Sequence, residues 1–599
     1  MIISLLWFFV VLFCLGFPLS AGLFRKDFSE TFIGSLLLGL PVMVVLLLIF
    51  PLRNPYYFGI VAIMWCGFSF RKFKSVKWVL NKNVLYNFGA VIIAILVMVL
   101  MFYGSQAYPW LEDDDPWDHA AAAKYVSKTG SASKTLEQYD LYGRLYMEPY
   151  PPSYPALMGV IHQLNDSIQT TLKLFNAVLI GLATLFFYFM AKLLVNKNKA
   201  FLATFLLAAL PSFMSHFIWS QTLAIALMFP ALYCLLKLSE QRKSFAWFLL
   251  TILFSASVLI TQPSSAAIFG IMFILVWVSK IVAEWYKNKK LDLQMSMFMA
   301  GVFAIIFSFM IFWGPTLLKF GYSETLAGIG LEPALFTDKT HDTSGGLVYG
   351  LKDFLVVPLA SKIDQATGWG LFIFLGVVAG TIFLIKTFKK KPFLSLTVLS
   401  WFAFTLLFLE GNALPFKLFP HRFWAFLAIP AVLLASIGII ELAKIVPSKK
   451  WKTGLFALFI IGVLLTSLWP KIIVQTSQWP FGGNFASIEE MQGYLWMQDN
   501  LPKNTRVLNL CGPEEKVIGF DMDADILNVD QYYFKNSIVN KTATEIKQFA
   551  KNNNYAYITV DTKCLQIIGM NQTDQLLQKI GTTNPLTHNT GGFWLFKNV

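Results

Sequence analysis

Apolar runs, each close to the roughly 20 residues that a helix needs to cross a bilayer, alternate with short polar stretches along most of the chain. They fall near 1–21, 33–51, 55–70, 86–103, 173–195, 199–216, 218–237, 245–262, 264–284, 297–318, 369–387, 393–410, 423–442 and 453–470. The pattern predicts a polytopic α-helical membrane protein with about fourteen transmembrane helices. The first run, MIISLLWFFVVLFCLGFPLSAG, has no basic residue ahead of it, and Arg25 and Lys26 follow it. That order predicts a retained span with its N-terminus outside, not a cleaved signal.

The polar stretches between runs are not alike. RKFKSVKWVLNKN from residue 71, Lys192 with Lys197 and Lys199, Arg242 with Lys243, Lys287 with Lys289 and Lys290, KTFKKK from residue 386, and Lys449 with Lys450 and Lys452 all fall on one side. That side is expected to be cytoplasmic. The opposite side receives outer loops 104–172 and 319–368, a shorter loop at 410–422, and the last 120 or so residues. These last residues change period. SIEEMQGYLWMQDNLP and TATEIKQFAKNNN read as helices, TRVLNLC and YAYITV as short strands, which together predict a small extracytoplasmic α/β domain. The expected division is N-terminal helices in 1–84, a transmembrane module in 85–475 and the outer domain in 476–599.

Composition narrows the class. The chain has 599 residues, 56% hydrophobic and only 14% charged, where a soluble globular protein carries about 25% charged residues. The net charge of +14 suggests no nucleic-acid partner, because about half of the basic residues sit in the short clusters that orient spans in the lipid bilayer. Of the five cysteines, Cys14, Cys66 and Cys234 lie inside apolar runs. Cys511 and Cys564 are able to pair if the C-terminal part occupies an oxidising compartment.

Candidate chemistry concentrates in WLEDDDPWDHAAAAKYV, residues 110–126. Pro116 and Trp117 predict a rigid turn and an interfacial aromatic within the cluster. DHAAAAKYVSKTG predicts a helix capped by Asp115 or Asp118 and closed by Gly130. Carboxylates held at a helix start beside a membrane suit two tasks: general base toward a hydroxyl, or, with a histidine, ligation of a divalent cation. The competing reading is a solvated loop, with His119 a capping or surface histidine. Farther on, LYMEPYPPSYPALMGVIHQL predicts an extended entry at Pro151 and Pro152 and an amphipathic interfacial helix over Ala156 to Leu164. In EGNALPFKLFPHRFWAFLAIP, His421 and Arg422 stand at the entry of a span, where Arg is either a headgroup snorkeler or a fixed cation for a phosphate. ITQPSSAA, near residue 261, reads as a tight outer turn.

DDDPWDHAAAAKYV, YPPSYPALMGVI, PHRFWAFLAIP and the α/β tail together resemble the GT-C superfamily of polyprenyl-phosphate-dependent glycosyltransferases. DDDPWDH is similar to the DPWYH type of loop in the catalytic subunit of oligosaccharyltransferases. The chain departs from that subunit in one respect: YLWMQDNLPKNTRVLNLCGPEEKV carries no WWDYG motif, so transfer of a whole glycan to a sequon is not implied. The resemblance implies a lipid-linked sugar donor and a glycan, lipid or protein acceptor. It also implies Asp115 as base, Asp114 as second candidate, and Asp118, His119 and Tyr154 near the acceptor. Arg422 and His421 would stand at the leaving phosphate, and Mg2+ or Mn2+ on Asp113, Asp115 and His119 is the cofactor to look for. A plasma-membrane, multi-pass location follows. En bloc glycan transfer, lipid or polysaccharide transport, and a non-catalytic assembly subunit remain the alternatives.

Overall fold

The computed structural model describes residues 1–24, 28–50, 54–69, 82–112, 114–142, 145–328, 348–359, 366–411, 420–478 and 487–599. The basic stretch 71–81, Asp113, and much of the loops 319–368 and 410–422 therefore lie outside the described residues. Each apolar run falls on a helix. Among the described residues, ten helices are long and apolar enough to cross a membrane: Ile2–Leu23, Phe28–Ile49, Asn83–Ser105, Ile168–Leu194, Ser220–Glu240, Pro263–Asn288, Met295–Ala327, Pro392–Leu409, Pro420–Ile445 and Lys449–Thr476. The helices Pro55–Phe68, Lys197–Ala209, Phe245–Leu259 and Leu371–Lys386 have only 13 to 16 residues. At 1.5 Å per residue these rise about 20–24 Å, short of the ~30 Å hydrocarbon core, so among the described residues ten of the fourteen expected spans have the full length.

One of the short helices explains where the cleft lies. Pro211 follows the end of Lys197–Ala209 and stops the helix, and residues 210–218 continue as irregular backbone that is buried throughout. Non-helical backbone beside apolar spans persists where it is enclosed by protein or lines a cavity. This segment does both. The innermost helices are Ile168–Leu194, Ser220–Glu240 and Pro420–Ile445, almost wholly buried. Small residues let Pro420–Ile445 approach its neighbour Leu371–Lys386: a Cβ on Gly380 would stand 1.9 Å from the Leu434 carbonyl oxygen, and one on Gly438 2.4 Å from that of Gly376. This close packing fixes the helix that begins with Pro420, His421 and Arg422.

The C-terminal unit carries a four-stranded sheet in the order β1 (Val507–Asn509), β2 (Tyr557–Asp561), β4 (Phe593–Lys597), β3 (Leu586–Asn589). β1 pairs parallel with β2, β2 antiparallel with β4, and β4 antiparallel with β3. Alternation along the strands gives the sheet two apolar faces. Leu508, Ile558, Val560 and Phe596 pack with Ile546, Leu576 and Ile580 of flanking helices, while Val507, Phe593 and Leu595 join Met491, Tyr494 and Met497 in the main core. The helix Ile488–Asn500 starts where its sequence indicates, with the Ser487 side chain accepting from the Glu490 N–H. Cys511 and Cys564 form a disulfide with Cα atoms 5.0 Å apart.

Candidate functional site

The acidic stretch forms the helix Asp114–Thr129, ending at Gly130 with φ +68° in the left-handed region. Since the helix already begins at Asp114, Asp115 and Asp118 sit in its first turns and do not cap it from outside. Trp117 is 1% exposed, so it is not the interfacial aromatic the sequence suggested. Its indole N–H donates to the Leu111 carbonyl at 2.7 Å, and its ring meets Phe520 edge-on at 5.6 Å. It thereby fastens the acidic helix to the C-terminal unit. Lys128 to Asp523 and Lys124 to Asn504 add polar ties between the two, and the hydroxyl of Ser167, at the start of the helix Ile168–Leu194, adds another to the same unit through Asp521 (2.6 Å).

The helix Ser153–His162 also differs from expectation. All its residues are buried, so it is an internal prop and not an amphipathic surface helix. It packs under the acidic helix, where a Cβ on Gly159 would meet Val126 at 2.6 Å. Tyr154, fully buried, stands 4.8 Å from the His119 ring, and Tyr146 stacks on His119 at 4.2 Å. Burial pushes the His119 pKa down to about 3, so the imidazole is neutral near pH 7. Both its nitrogens and the Tyr154 hydroxyl lack hydrogen-bond partners among the described residues.

Tyr146 links the acidic helix to the far wall. Its hydroxyl donates to Asp115 Oδ1. Burial and the Asp115 carboxylate hold its own pKa well above the usual tyrosine range, opposed by the charge of Arg422, so the phenol remains a donor at every working pH. Leu145 and Tyr146 have φ of +44° and +47°, a left-handed pair without glycine that the surrounding contacts must hold in place. Tyr150, edge-on to Tyr146 at 4.9 Å, hydrogen-bonds the Ser220 hydroxyl at 2.8 Å.

On the far wall, Arg422 donates to the Ser264 hydroxyl at 2.9 Å and stacks over Trp219 at 5.6 Å. Ser220, Ser264 and Arg422 each lie in the first turn of a helix. The Arg422–Ser264 hydrogen bond joins two of these helix starts, whose positive dipole ends favour an anion. The small cleft here is lined by Ser212, Ser215, Trp219, Gln221, His421 and Arg422 among others. Among the described residues, Gln221, 2% exposed, has neither amide atom hydrogen-bonded, and the hydroxyls of Ser212, Thr222 and Ser265 are likewise buried without partners. Each such group costs about 1–3 kcal/mol unless something fills the site.

The structure thus links Asp115, His119 and Tyr154 through Tyr146 and ring contacts, while His421 and Arg422 line the cleft and Arg422 acts on Tyr146 through its charge. Asp118 is half-buried on the same helix. Asp114 begins that helix, but its side chain, like the whole of Asp113, lies outside the described residues. No three His, Cys, Asp or Glu side chains among the described residues stand close enough to hold a metal ion. Asp115 accepts from Tyr146 and His119 lies against two rings, while Asp113, the third member of the expected metal set, lies outside the described residues. Sequence reading missed Tyr146, Gln221 and Ser264. It also missed a buried group below the cleft: Glu112, 1% exposed, lies 3.5 Å from His216 Nε2, and Gln475 Oε1 accepts from the His216 N–H at 2.9 Å. ITQPSSAA held one available signal, a polar first turn facing the entry of another span.

Residues 35–510 match a family described as "Family of unknown function (DUF6541)", and the chain belongs to that family. No curated protein sequence matches it. Among solved structures, the apo oligosaccharyltransferase of Archaeoglobus fulgidus is similar with a TM-score of 0.51 at 12% identity, over 86% of this chain and 75% of that one. The oligosaccharyltransferase AglB of the same organism, in complex with an inhibitory peptide and a dolichol-phosphate, gives a TM-score of 0.50 at 13% identity, over 86% and 74%. At such identities the likeness shows a shared fold alone.

Proposed function

We propose that this DUF6541 member is a membrane glycosyltransferase that moves a sugar from a polyprenyl-phosphate-linked donor to an extracytoplasmic glycan, lipid or protein acceptor. The observation that carries the reading is the junction at Tyr146, where the Asp115 carboxylate meets the field of Arg422 beside a cleft of unpartnered buried polar groups. A fold shared with an enzyme whose complex contains dolichol-phosphate supports the donor class. With this reading goes the division of the chain into helices 1–84, a catalytic module 85–475 and an outer domain 476–599.

In the proposed reaction Asp115 accepts the proton of the acceptor hydroxyl as that oxygen bonds to the anomeric carbon. The bond from that carbon to the phosphate oxygen breaks, its electron pair leaves on the lipid phosphate, and the configuration inverts. The phosphate gains one negative charge, which Arg422, His421, the Gln221 amide and the helix N-termini at Ser264 and Arg422 receive. Asp114 is the second candidate base. Neutral His119, with Asp118 and Tyr154, orients the acceptor by hydrogen bonding and shape, not by charge. No step runs through a metal, because the described donors do not converge on one.

The Cys511–Cys564 disulfide supports an oxidising, extracytoplasmic setting for the C-terminal unit, and hence for the acidic helix fastened to it. Single cysteines at Ser133 and Asn553 are expected to react with an impermeant maleimide on intact cells, and one at Asn288 is not; labelling at Asn288 alone reverses the sidedness. Lipid extraction from the purified protein tests the function itself. A retained polyprenyl-phosphate sugar supports the transferase, whereas a stoichiometric second subunit with no such lipid favours an assembly role.

A further inference from the structure

At the opposite end of the helix bundle lies a second polar cavity, of about 300 Å³, lined by Lys199, Lys287, Lys390 and Lys391 with Leu194 and Phe393 on its apolar wall. Its lysines come from three separate segments brought together by packing. Phe388 meets Tyr286 edge-on at 5.7 Å, and Lys280 Nζ lies 5.3 Å from the Phe393 ring; these contacts hold the 386–393 turn against the helix that carries Lys287. Lys199 is 6% exposed and held at 2.5 Å by Glu441, which also accepts from Lys444 at 3.0 Å. That one carboxylate is shared by two cations. No acidic residue lines the cavity, and Lys287, Lys390 and Lys391 have no carboxylate partner among the described residues.

The helices Lys197–Ala209 and Pro392–Leu409 both begin here, the first capped by Asn196 and the second without a side-chain cap, which adds two positive dipole ends. Orientation of spans requires only that basic residues lie on one side; it does not require them to converge around a cavity. Convergence of like charges raises the energy of the pocket unless an anion occupies it. The apolar wall at the ends of two spans favours an anion carried by a lipid over one free in solution.

We propose that this pocket binds the phosphate-bearing headgroup of an anionic phospholipid, with Leu194 and Phe393 against the start of its chains. The site is independent of the chemistry proposed for the cleft. The test uses the full-length protein in neutral detergent and reads the thermal unfolding midpoint with phosphatidylglycerol, with phosphatidylcholine, and with inorganic phosphate at matched concentration. Phosphatidylglycerol alone is expected to raise the midpoint, by about 4 °C. The rise should vanish in Lys287→Gln/Lys390→Gln/Lys391→Gln and persist in Lys449→Gln/Lys450→Gln/Lys452→Gln, which removes as much charge from the same end. If the pocket variant fails to accumulate, Lys391→Gln alone, at an exposed side chain, should show a reduced rise. No rise with phosphatidylglycerol, an equal rise with inorganic phosphate, or equal loss in both triple variants overturns the proposal.

Discussion

Two buried polar clusters in this protein are built in opposite ways. In the C-terminal unit, Lys516 pairs with Glu490 and lies 4.0 Å from Asp561; Tyr494 donates to Asp561 at 2.8 Å, Asn509 donates to the Tyr494 oxygen at 2.8 Å, and Thr562 donates to Glu490. Every member has a partner. In the cleft beside Arg422, Gln221 and Ser212 are just as buried, and their side-chain groups have no partner among the described residues. A completed network holds a fold together, since breaking it leaves an uncompensated charge. An incomplete one is a standing cost, retained where a ligand completes it. On the proposed reading, the contrast separates a structural cluster from a binding site.

The largest effect expected is at Asp115. Asp115→Asn keeps the shape and an acceptor for Tyr146 but cannot take a proton, so turnover should fall by about 10²–10⁴-fold with donor binding nearly intact. Full activity here together with loss in Asp114→Asn moves the base by one residue. Next comes Lys516→Met, which strands Glu490 and Asp561. The C-terminal unit should lose on the order of 3–5 kcal/mol, read as earlier thermal unfolding and faster proteolysis. If this variant loses transfer while its stability is unchanged, the division between the two clusters fails.

Arg422→Lys separates a phosphate clamp from a membrane anchor. Lysine keeps the charge but not the planar fork, so turnover should drop about a hundredfold with normal insertion; near-normal turnover would favour snorkelling. A smaller effect concerns Glu515, whose pKa is pushed up to about 7 by burial and by the neighbouring Glu514 carboxylate. The folded state then binds a proton more readily than the unfolded chain. Glu515 therefore supports folding below its ordinary pKa, and stability falls as pH rises through about 7. Glu515→Gln should flatten that slope and raise stability at pH 8 by on the order of 1–3 kcal/mol. Smallest of all, Gln221→Leu should stabilise the donor-free protein by about 1 kcal/mol, having removed an unsatisfied amide, while weakening donor binding about tenfold. Destabilisation without donor would place Gln221 in the structural class.

Local patterns were legible in the sequence; meetings of distant segments were not. The apolar runs, the acidic helix with its stop at Gly130, the Ser487-capped helix and the strands β1 and β2 all follow from short-range periodicity and capping. Pro211, which was also visible, shortens the helix before it, yet a continuous count of apolar residues runs straight through. Trp117 and the helix Ser153–His162 looked interfacial because their sequences are amphipathic enough for a membrane surface. What buries Trp117 is Phe520 of the C-terminal unit, about 400 residues away in the chain, and what buries the helix Ser153–His162 is the acidic helix together with membrane helices on either side of it in the chain. β3 and β4 were overlooked although Asn589, Gly591 and Gly592 mark a hairpin, since β3 is an exposed edge strand with little apolar signal. Of the site, the charged residues stood out against an apolar background, whereas Tyr146, Gln221 and Ser264 acquire meaning only where distant segments meet.

Incubation of the purified full-length protein with a panel of radiolabelled polyprenyl-phosphate sugars and a membrane extract as acceptor tests the central claim most directly. The account predicts that one donor is consumed, that polyprenyl phosphate is released in step with labelled product, and that Asp115→Asn binds this donor without consuming it. A protein that neither binds nor consumes any lipid-linked sugar, or one whose consumption is undiminished in both Asp115→Asn and Asp114→Asn, would contradict it.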